Sequence, residues 1–398
     1  MGFNFDEVVD RRGTDSGKWR TYGDDVLPMW VADMDFRSPE AVTRALHARV
    51  EQGVFGYGAD GVELKEVVCA RLARLYGWQI KPEDIVLLPG LVCGLNVVSR
   101  AVGQPGDGVM VTTPVYPPFL SAPKNQEREL HAAELAVERR NGVLYYTVDQ
   151  DALGAAVRPN TRLFILCNPH NPVGRAFTRG ELLDMAAFCQ HHDLVICSDE
   201  AHCDLLLGDT QHLPLASLDP EIADRCITLM APSKTFNLPG LGCSMAIVQN
   251  PQLRRQLVRA AAGIVPHVNV LGITAAVAAY SEGDEWLAAL RMYLTANRDL
   301  LTNFVTTRWP AVGYTVPEAT YLGWLDFNPV PLPDRPQRFC LEKARVALVD
   351  GAGFGAGGEN FLRINFGCPR SLLEQGLEQL DQALHGYIEL CEPLAQTN

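Results

Sequence analysis

Apolar positions follow two rhythms along the chain. Short unbroken runs, Ile85 to Leu88, Gly108 to Thr112, Leu163 to Leu166, Leu194 to Cys197 and Cys226 to Met230, have the length of strands buried on both faces. Between them, apolar residues recur three and four apart, as at Leu64, Val67, Val68, Leu72 and Leu75 within Val62 to Tyr76, or at Leu95, Val97 and Val98 after the turn at Pro89 to Val92. Helix-start signals fit this division. Ser38 before Pro39 and Glu40 reads as an N-cap with proline at the first helical position, and Thr178 with Glu181 reads as a capping box. Strands alternating with helices through residue 248 predict a mostly parallel sheet flanked by helices, with ligand sites at the strands' carboxyl ends.

The rhythm changes towards the C-terminus. Trp286 to Trp309 reads as one long helix, Thr320 to Phe327 as a strand, Phe339 to Leu348 as a helix, Gly351 to Gly358 as a flexible loop and Phe361 to Phe366 as a strand. The expected fold is α/β. A large domain over residues 51–285 carries the mostly parallel central sheet, and a smaller α+β domain combines an N-terminal arm, residues 1–50, with residues 286–398.

Composition narrows the function classes. With 398 residues, 47% of them hydrophobic, the chain can bury one large and one smaller core. A net charge of −13 disfavours nucleic acid or an anionic membrane as a general partner. No apolar run reaches spanning length and the first twenty residues lack a secretory apolar core, so a soluble cytoplasmic protein is expected. The 11 cysteines are scattered without Cys-x-x-Cys spacing, which points to core packing in a reducing compartment and to no metal site.

Candidate chemistry gathers where the apolar runs stop. Lys234 follows the run Cys226 to Met230 and precedes a Pro- and Gly-punctuated turn, so it is expected at a strand's end facing a cleft. Among apolar neighbours its charge is disfavoured, which frees the amine to form a Schiff base with a carbonyl cofactor. Asp199 closes another apolar run, and a carboxylate there is costly unless it meets a cation. Pyridoxal phosphate satisfies both demands, with an aldehyde for the lysine and a ring nitrogen whose protonated form needs an anion. The turn at Leu91 and Val92 presents free helix-start amides, a phosphate cradle that many αβ proteins also carry without a ligand. Tyr116 in a proline-rich loop suits stacking on a flat ring, and equally suits plugging the core. Asn171 can offer its amide to a phenolate oxygen. Arg363 interrupts an apolar strand and requires an anion, either a substrate carboxylate or an internal acid. The stretch Trp30 to Phe36, including Ala32 and Asp33, either packs the arm on the core or walls the substrate pocket.

The segments NPHNPVGR, SDEAHCDL, APSKTFNLPGL and RINFGCPR, in that order, resemble the fold type I pyridoxal-phosphate enzymes of the class I/II aminotransferase superfamily over nearly the whole chain. LPMWVADMDF, TPVYPPF, ATYLGWLDF and GENFLRINFGCPR resemble in particular its cystathionine β-lyase-like C–S lyases. The resemblance implies that Lys234 carries pyridoxal 5′-phosphate, Asp199 pairs with its ring nitrogen, Asn171 bonds the ring hydroxyl and Tyr116 stacks on the ring. It implies phosphate contacts from the Leu91 and Val92 amides and from Ser233. Arg363 would hold the substrate carboxylate, with Ala32 and Asp33 beside it. A homodimer is implied, with Tyr57 reaching into the neighbouring site. His202 stands where aminotransferases commonly have a tyrosine and is counted with the cofactor-binding residues, while Gly242 replaces a common arginine. The expected reaction is α,β-elimination from an S-substituted L-cysteine. The alternatives are transamination, decarboxylation coupled to oxidative deamination, and a regulatory protein without turnover.

Overall fold

The computed structural model describes residues 2–59, 61–140 and 142–395. Its larger sheet orders seven strands as Ile85–Leu88, Ser244–Ile247, Cys226–Met230, Val195–Asp199, Thr161–Cys167, Gly108–Thr113 and Glu129–Glu134. The last five are parallel, and Ser244–Ile247 alone runs antiparallel to its two neighbours. Alternate residues of the central strands enter two separate cores. Leu163, Ile165, Cys197, Ile227 and Leu229 pack on one face, and Phe164, Leu166, Ile196, Cys226 and Met230 on the other. A strand buried on both faces has no polar side, and for that reason these segments read as unbroken apolar runs.

The helices follow the pattern closely. Val62–Tyr76 has the expected bounds and stops at Gly77 in the left-handed conformation, φ 65°. At Arg179–His191 the capping box forms, with Glu181 N donating to Thr178 Oγ1 and Thr178 N donating to Glu181 Oε2. The long helix is Asp284–Arg308. Among the described residues no helix is long and apolar enough to cross a membrane.

Three local expectations are corrected. Pro39, not Ser38, occupies the N-cap of Glu40–Glu51, because the Ser38 hydroxyl donates instead to Asn237 O at 3.1 Å. Phe339 to Leu348 is not one helix. Pro336–Phe339 continues as a wide turn over Cys340–Ala344, then Arg345 turns left-handed at φ 56° and Val346–Ala347 pairs with Leu27–Pro28. Gly351 to Gly358 is not a flexible loop. Gly351–Phe354 forms a tight turn around buried Phe354, and a Cβ on Gly358 would lie 2.1 Å from Gly351 O, so these glycines allow close backbone approach.

A second sheet orders Val349–Asp350, Phe361–Asn365, Leu322–Asp326, Gly313–Tyr314, Val143–Thr147 and Ala136–Arg140. Two of its strands thus come from residues 136–147, between strands of the larger sheet. The arm lies along this second sheet. Asn365 N donates to Met29 O and Asp35 N donates to Gly367 O, both at 2.9 Å. Gly367 leaves the room for this approach, since a Cβ there would lie 2.8 Å from Met34 Cγ and 3.1 Å from Tyr321 Cγ. Gly367→Ala is therefore expected to lower stability by about 1–3 kcal/mol through overpacking and to lift the arm. Thermal melting and limited proteolysis within the arm check this; unchanged cleavage would contradict it.

Candidate active site

The register of the parallel strands brings three loops to one place. Cys167 pairs with Asp199, and Asp199 pairs with Leu229, so the strands end level and the loops carrying Asn171, His202 and Lys234 emerge side by side. Together with the start of the helix Leu91–Ala101 they enclose a cavity of about 400 Å³, lined by Leu91, Val92, Tyr116, Asn171, Asp199, His202, Ser233, Lys234 and Ala32. Nine of the residues singled out from sequence thus share one wall.

Lys234 is not at the strand's end itself. Pro232 opens a one-turn helix, Pro232–Thr235, and Lys234 projects from its third position. The half-buried side chain donates from Nζ to Ala32 O at 2.6 Å. Burial lowers its pKa to about 8, helped by the charge of Arg363 and opposed by Asp33 and Asp199. Asp199 is buried, and the sole hydrogen bond to its carboxylate among the described residues comes from Ala201 N at 3.0 Å. Burial raises its carboxyl to about 7, with Lys234 pulling the other way. Each group is pushed towards neutrality, which marks a missing opposite charge between them.

Arg363 is buried on the strand Phe361–Asn365 with its guanidinium 5.1 Å from the Phe354 ring centre. NH1 donates to Asn171 Oδ1 at 3.1 Å and NH2 to Trp30 O at 3.3 Å, while Nε has no partner. No carboxylate of the described residues pairs with it, which removes the internal-acid alternative. Burial pulls its pKa down to about 10, and Tyr116 and Tyr321 pull the other way. Because Arg363 occupies Asn171 Oδ1, the Asn171 Nδ2 group remains free to donate into the cavity. Burial raises the Tyr116 phenol, with Arg363 opposing. His202 is buried and lowered to about 3, first by burial and then by Lys234 and Arg363, so it is a neutral imidazole whose Nδ1 lacks a partner.

The helix Leu91–Ala101 starts without a side-chain cap, leaving its first-turn amides for an anion beside Ser233. At Gly242 the backbone is left-handed, φ 56°, and a Cβ would lie 3.0 Å from Pro89 O. A side chain as large as arginine does not fit that backbone without strain.

Three expected residues are not among those lining the cavity: Arg363, which is bonded to the lining residue Asn171, and Asp33 and Tyr57. Asp33 is turned towards the arm, 2.7 Å from Arg11 and 3.7 Å from Lys18, although its charge reaches Lys234. Tyr57 is fully exposed and borders a separate groove with Lys65, Arg254 and Val258. Three contributors escaped sequence reading. Tyr321 OH donates to Ala32 O at 2.8 Å, Asn365 Nδ2 donates to Val31 O and Asp33 O, and Asn237 clamps Met34 from both sides. For Asn365 a signal existed: it lies two residues past Arg363, hence on the same face of the strand.

An anion cradle, a flat aromatic, a buried acid, a free amide donor and a depressed lysine converge on one cavity, which defines an α/β scaffold for a flat, phosphorylated carbonyl cofactor. The chain belongs to the aminotransferase class I and II family, whose model matches residues 25–380. It is 41% identical over 391 residues to the cystathionine β-lyase PatB of Bacillus subtilis (strain 168), covering 96% of this chain and 100% of that protein. Among solved structures it is similar to OvoB, with 45% identity, a TM-score of 0.91 and coverage of 96% and 99% of the two chains. It is also similar to cystalysin from Treponema denticola containing a pyridoxal 5′-phosphate cofactor, with 33% identity, a TM-score of 0.92 and coverage of 97% and 100%.

A neutral amine is the nucleophile, so a pKa near 8 makes Lys234 reactive about two pH units below ordinary lysines near 10.4. In cofactor-free protein, labelling of Lys234 by a limiting amine reagent, read by peptide mass spectrometry, is expected to reach half its plateau near pH 8. A midpoint near 10 would show that the pocket does not depress it.

Proposed function

We infer that the protein is a pyridoxal 5′-phosphate-dependent C–S β-lyase that cleaves an S-substituted L-cysteine to a thiol, pyruvate and ammonia. The observation that carries this reading is the buried Arg363 guanidinium, which lacks an internal anion, is bonded to Asn171 in the wall of the Lys234 cavity and acts by its charge on the depressed amine. An α-amino acid supplies the missing anion. The likeness to the cystathionine β-lyase PatB over 96% of this chain favours lysis over amino transfer.

The residues fit the cofactor. Lys234 is the amine that would join its aldehyde, and Asp199 the acid that would face its ring nitrogen. Asn171 Nδ2 would donate to the ring oxygen, Tyr116 would cover one ring face, and neutral His202 would lie beside it. The Leu91 and Val92 amides with the Ser233 hydroxyl would hold the phosphate. When bound, the cofactor supplies a conjugated, electron-withdrawing ring that accepts the electron pair left on Cα.

The chain's own residues do the rest. Arg363 holds the α-carboxylate by paired N–H donors, and Asn171 and Trp30 O fix the guanidinium's orientation. That anchoring decides which Cα bond faces the ring. Neutral Lys234 takes the Cα proton. The Cβ–S bond then breaks, the thiolate departs with the bonding pair, and the released three-carbon fragment hydrolyses to pyruvate and ammonia. Ala32 on the arm borders the substrate's side, while Asp33, turned away from the cavity, acts on Lys234 through its charge.

The active unit we propose is a homodimer. Tyr57, Phe55, Val54, Val258 and Ile264 are exposed apolar residues, and Tyr57 and Val258 border the same groove, as a surface covered by a second copy does. That copy's Tyr57 would reach this cavity. Ten described cysteines are free, eight of them buried, which supports a reducing, cytoplasmic setting.

With an S-alkyl-L-cysteine, thiol and pyruvate are expected in equal amounts without added keto acid; strict dependence on a keto acid would identify transamination instead. Lys234→Ala is expected to lose the near-visible absorbance of the cofactor-bound enzyme and at least about 10²–10⁴-fold in rate. Arg363→Lys loses the fork geometry and is expected to raise KM about 10–100-fold, with unchanged cofactor absorbance. An unchanged KM would remove Arg363 from the carboxylate site.

A further inference from the structure

The arm from Trp30 to Phe36 runs through the site without a strand partner, yet the carbonyls of Trp30, Val31, Ala32, Asp33, Met34 and Phe36 are satisfied by side chains. Arg363 donates to Trp30 O, and Asn365 to Val31 O and Asp33 O. Lys18 adds a second bond to Asp33 O, and Asn237 bonds Met34 O and Phe36 O. Ala32 O, like Asp33 O, has two donors, but it alone of these carbonyls is bonded by Lys234. Its donors are the Lys234 amine at 2.6 Å and the Tyr321 hydroxyl at 2.8 Å.

These two donors have different freedom. Tyr321 is fully buried, packed edge-on against His202 with ring centres 5.9 Å apart, and its backbone is tied to Phe366. It cannot leave. Lys234, on the reading above, must leave Ala32 O to join the cofactor and come free again when the substrate takes its place. Without Tyr321, Ala32 O would lose its sole partner at each departure, and an unpartnered buried acceptor is costly.

We propose that Tyr321 and the Ala32 carbonyl form a dock for the free amine of Lys234, in which Tyr321 is the positioning residue and Ala32 O the point of attachment. The dock deepens the lyase reading and rests on it for its place in catalysis. Tyr321 keeps Ala32 O aimed at the cavity while the lysine is away. It also occupies part of the oxygen's accepting capacity, so the oxygen favours the ammonium less than a carbonyl free to serve Lys234 alone. The lysine therefore returns to a fixed point beside the substrate and can be neutral there. Its lone pair takes the Cα proton, the C–H bonding pair stays on the substrate, and the resulting ammonium is held by Ala32 O until it gives the proton up.

The test compares wild type with Tyr321→Phe in the full chain. In cofactor-free protein the variant's Lys234 labelling midpoint is expected to rise by about one pH unit, an approximately tenfold slower labelling at pH 7. In the cofactor-loaded enzyme kcat is expected to fall about 10–100-fold with KM little changed and with a larger isotope effect for Cα-deuterated substrate. A variant with an unmoved labelling midpoint overturns the dock, and so does a raised KM at unchanged kcat, because a packing role alone would produce it. If Tyr321→Phe fails to fold, fluorotyrosine at position 321, a stronger donor of the same shape, decides the matter. Its midpoint must fall below the wild-type value, and a midpoint that stays or rises overturns the dock. Absence of pyruvate from the wild-type enzyme would sink the lyase reading but would leave the labelling comparison intact.

Discussion

Two ionisable groups of opposite type, Asp199, which lines the cavity, and Arg363, which is bonded to Asn171 in its wall, are buried and are not paired with each other. Removing either charge from water costs several kcal/mol in a protein interior, and an internal salt bridge would offset much of that. The fold prevents one. Asp199 is held by a strand paired on both sides, to Cys167 and to Leu229, and Arg363 by a strand of the other sheet, also paired on both sides, to Trp324 and to Val349. Asn171 then takes NH1 of the arginine through its amide oxygen, a neutral acceptor that orients the guanidinium without cancelling its charge. Two unsatisfied charges held apart by two sheets make a site for a ligand that brings both counter-charges.

This arrangement explains why the arm is built as it is. Between its backbone bonds at Met29 and Asp35 the arm forms no strand, and a buried carbonyl without a donor is costly. The donors come from side chains at fixed intervals: Asn237 three residues after Lys234, Asn365 two after Arg363. The residues that serve chemistry and those that hold the arm therefore sit on the same short elements, and a shift of either element moves both.

Much of this was legible in the chain. The apolar runs gave the central strands, because burial on both faces leaves an unambiguous pattern, and Lys234, Asp199 and Arg363 stood out because each ends or interrupts such a run. What the pattern could not carry was contact between distant segments. Ser38 has the residue type of an N-cap, yet Asn237, far off in sequence, takes its hydroxyl. The glycines at 351 and 358 have the look of a flexible loop, yet they allow two backbones to touch. Residues 339–348 carry helical spacing, yet Val346–Ala347 is drawn into pairing with the arm. Tyr321 gave no signal, since an aromatic at the edge of an apolar strand reads as core. Its importance lies in one hydroxyl meeting one carbonyl nearly three hundred residues away.

Gly242 shows how the missing arginine is tolerated. Its left-handed backbone passes so close to Pro89 O that a larger residue would force the loop away from the start of the helix Leu91–Ala101. Keeping glycine there keeps the uncapped first turn at the cavity, where aligned peptide dipoles act as roughly half a positive charge. An anion held by amides and a hydroxyl is fixed by direction rather than by a full formal charge. The formal positive charges then belong to Lys234 and Arg363, the two groups that must respond to the substrate. A third fixed cation nearby would lower the pKa of Lys234 further and raise the cost of burying Arg363. Its absence leaves the lysine close to physiological pH, where it can both release and accept a proton.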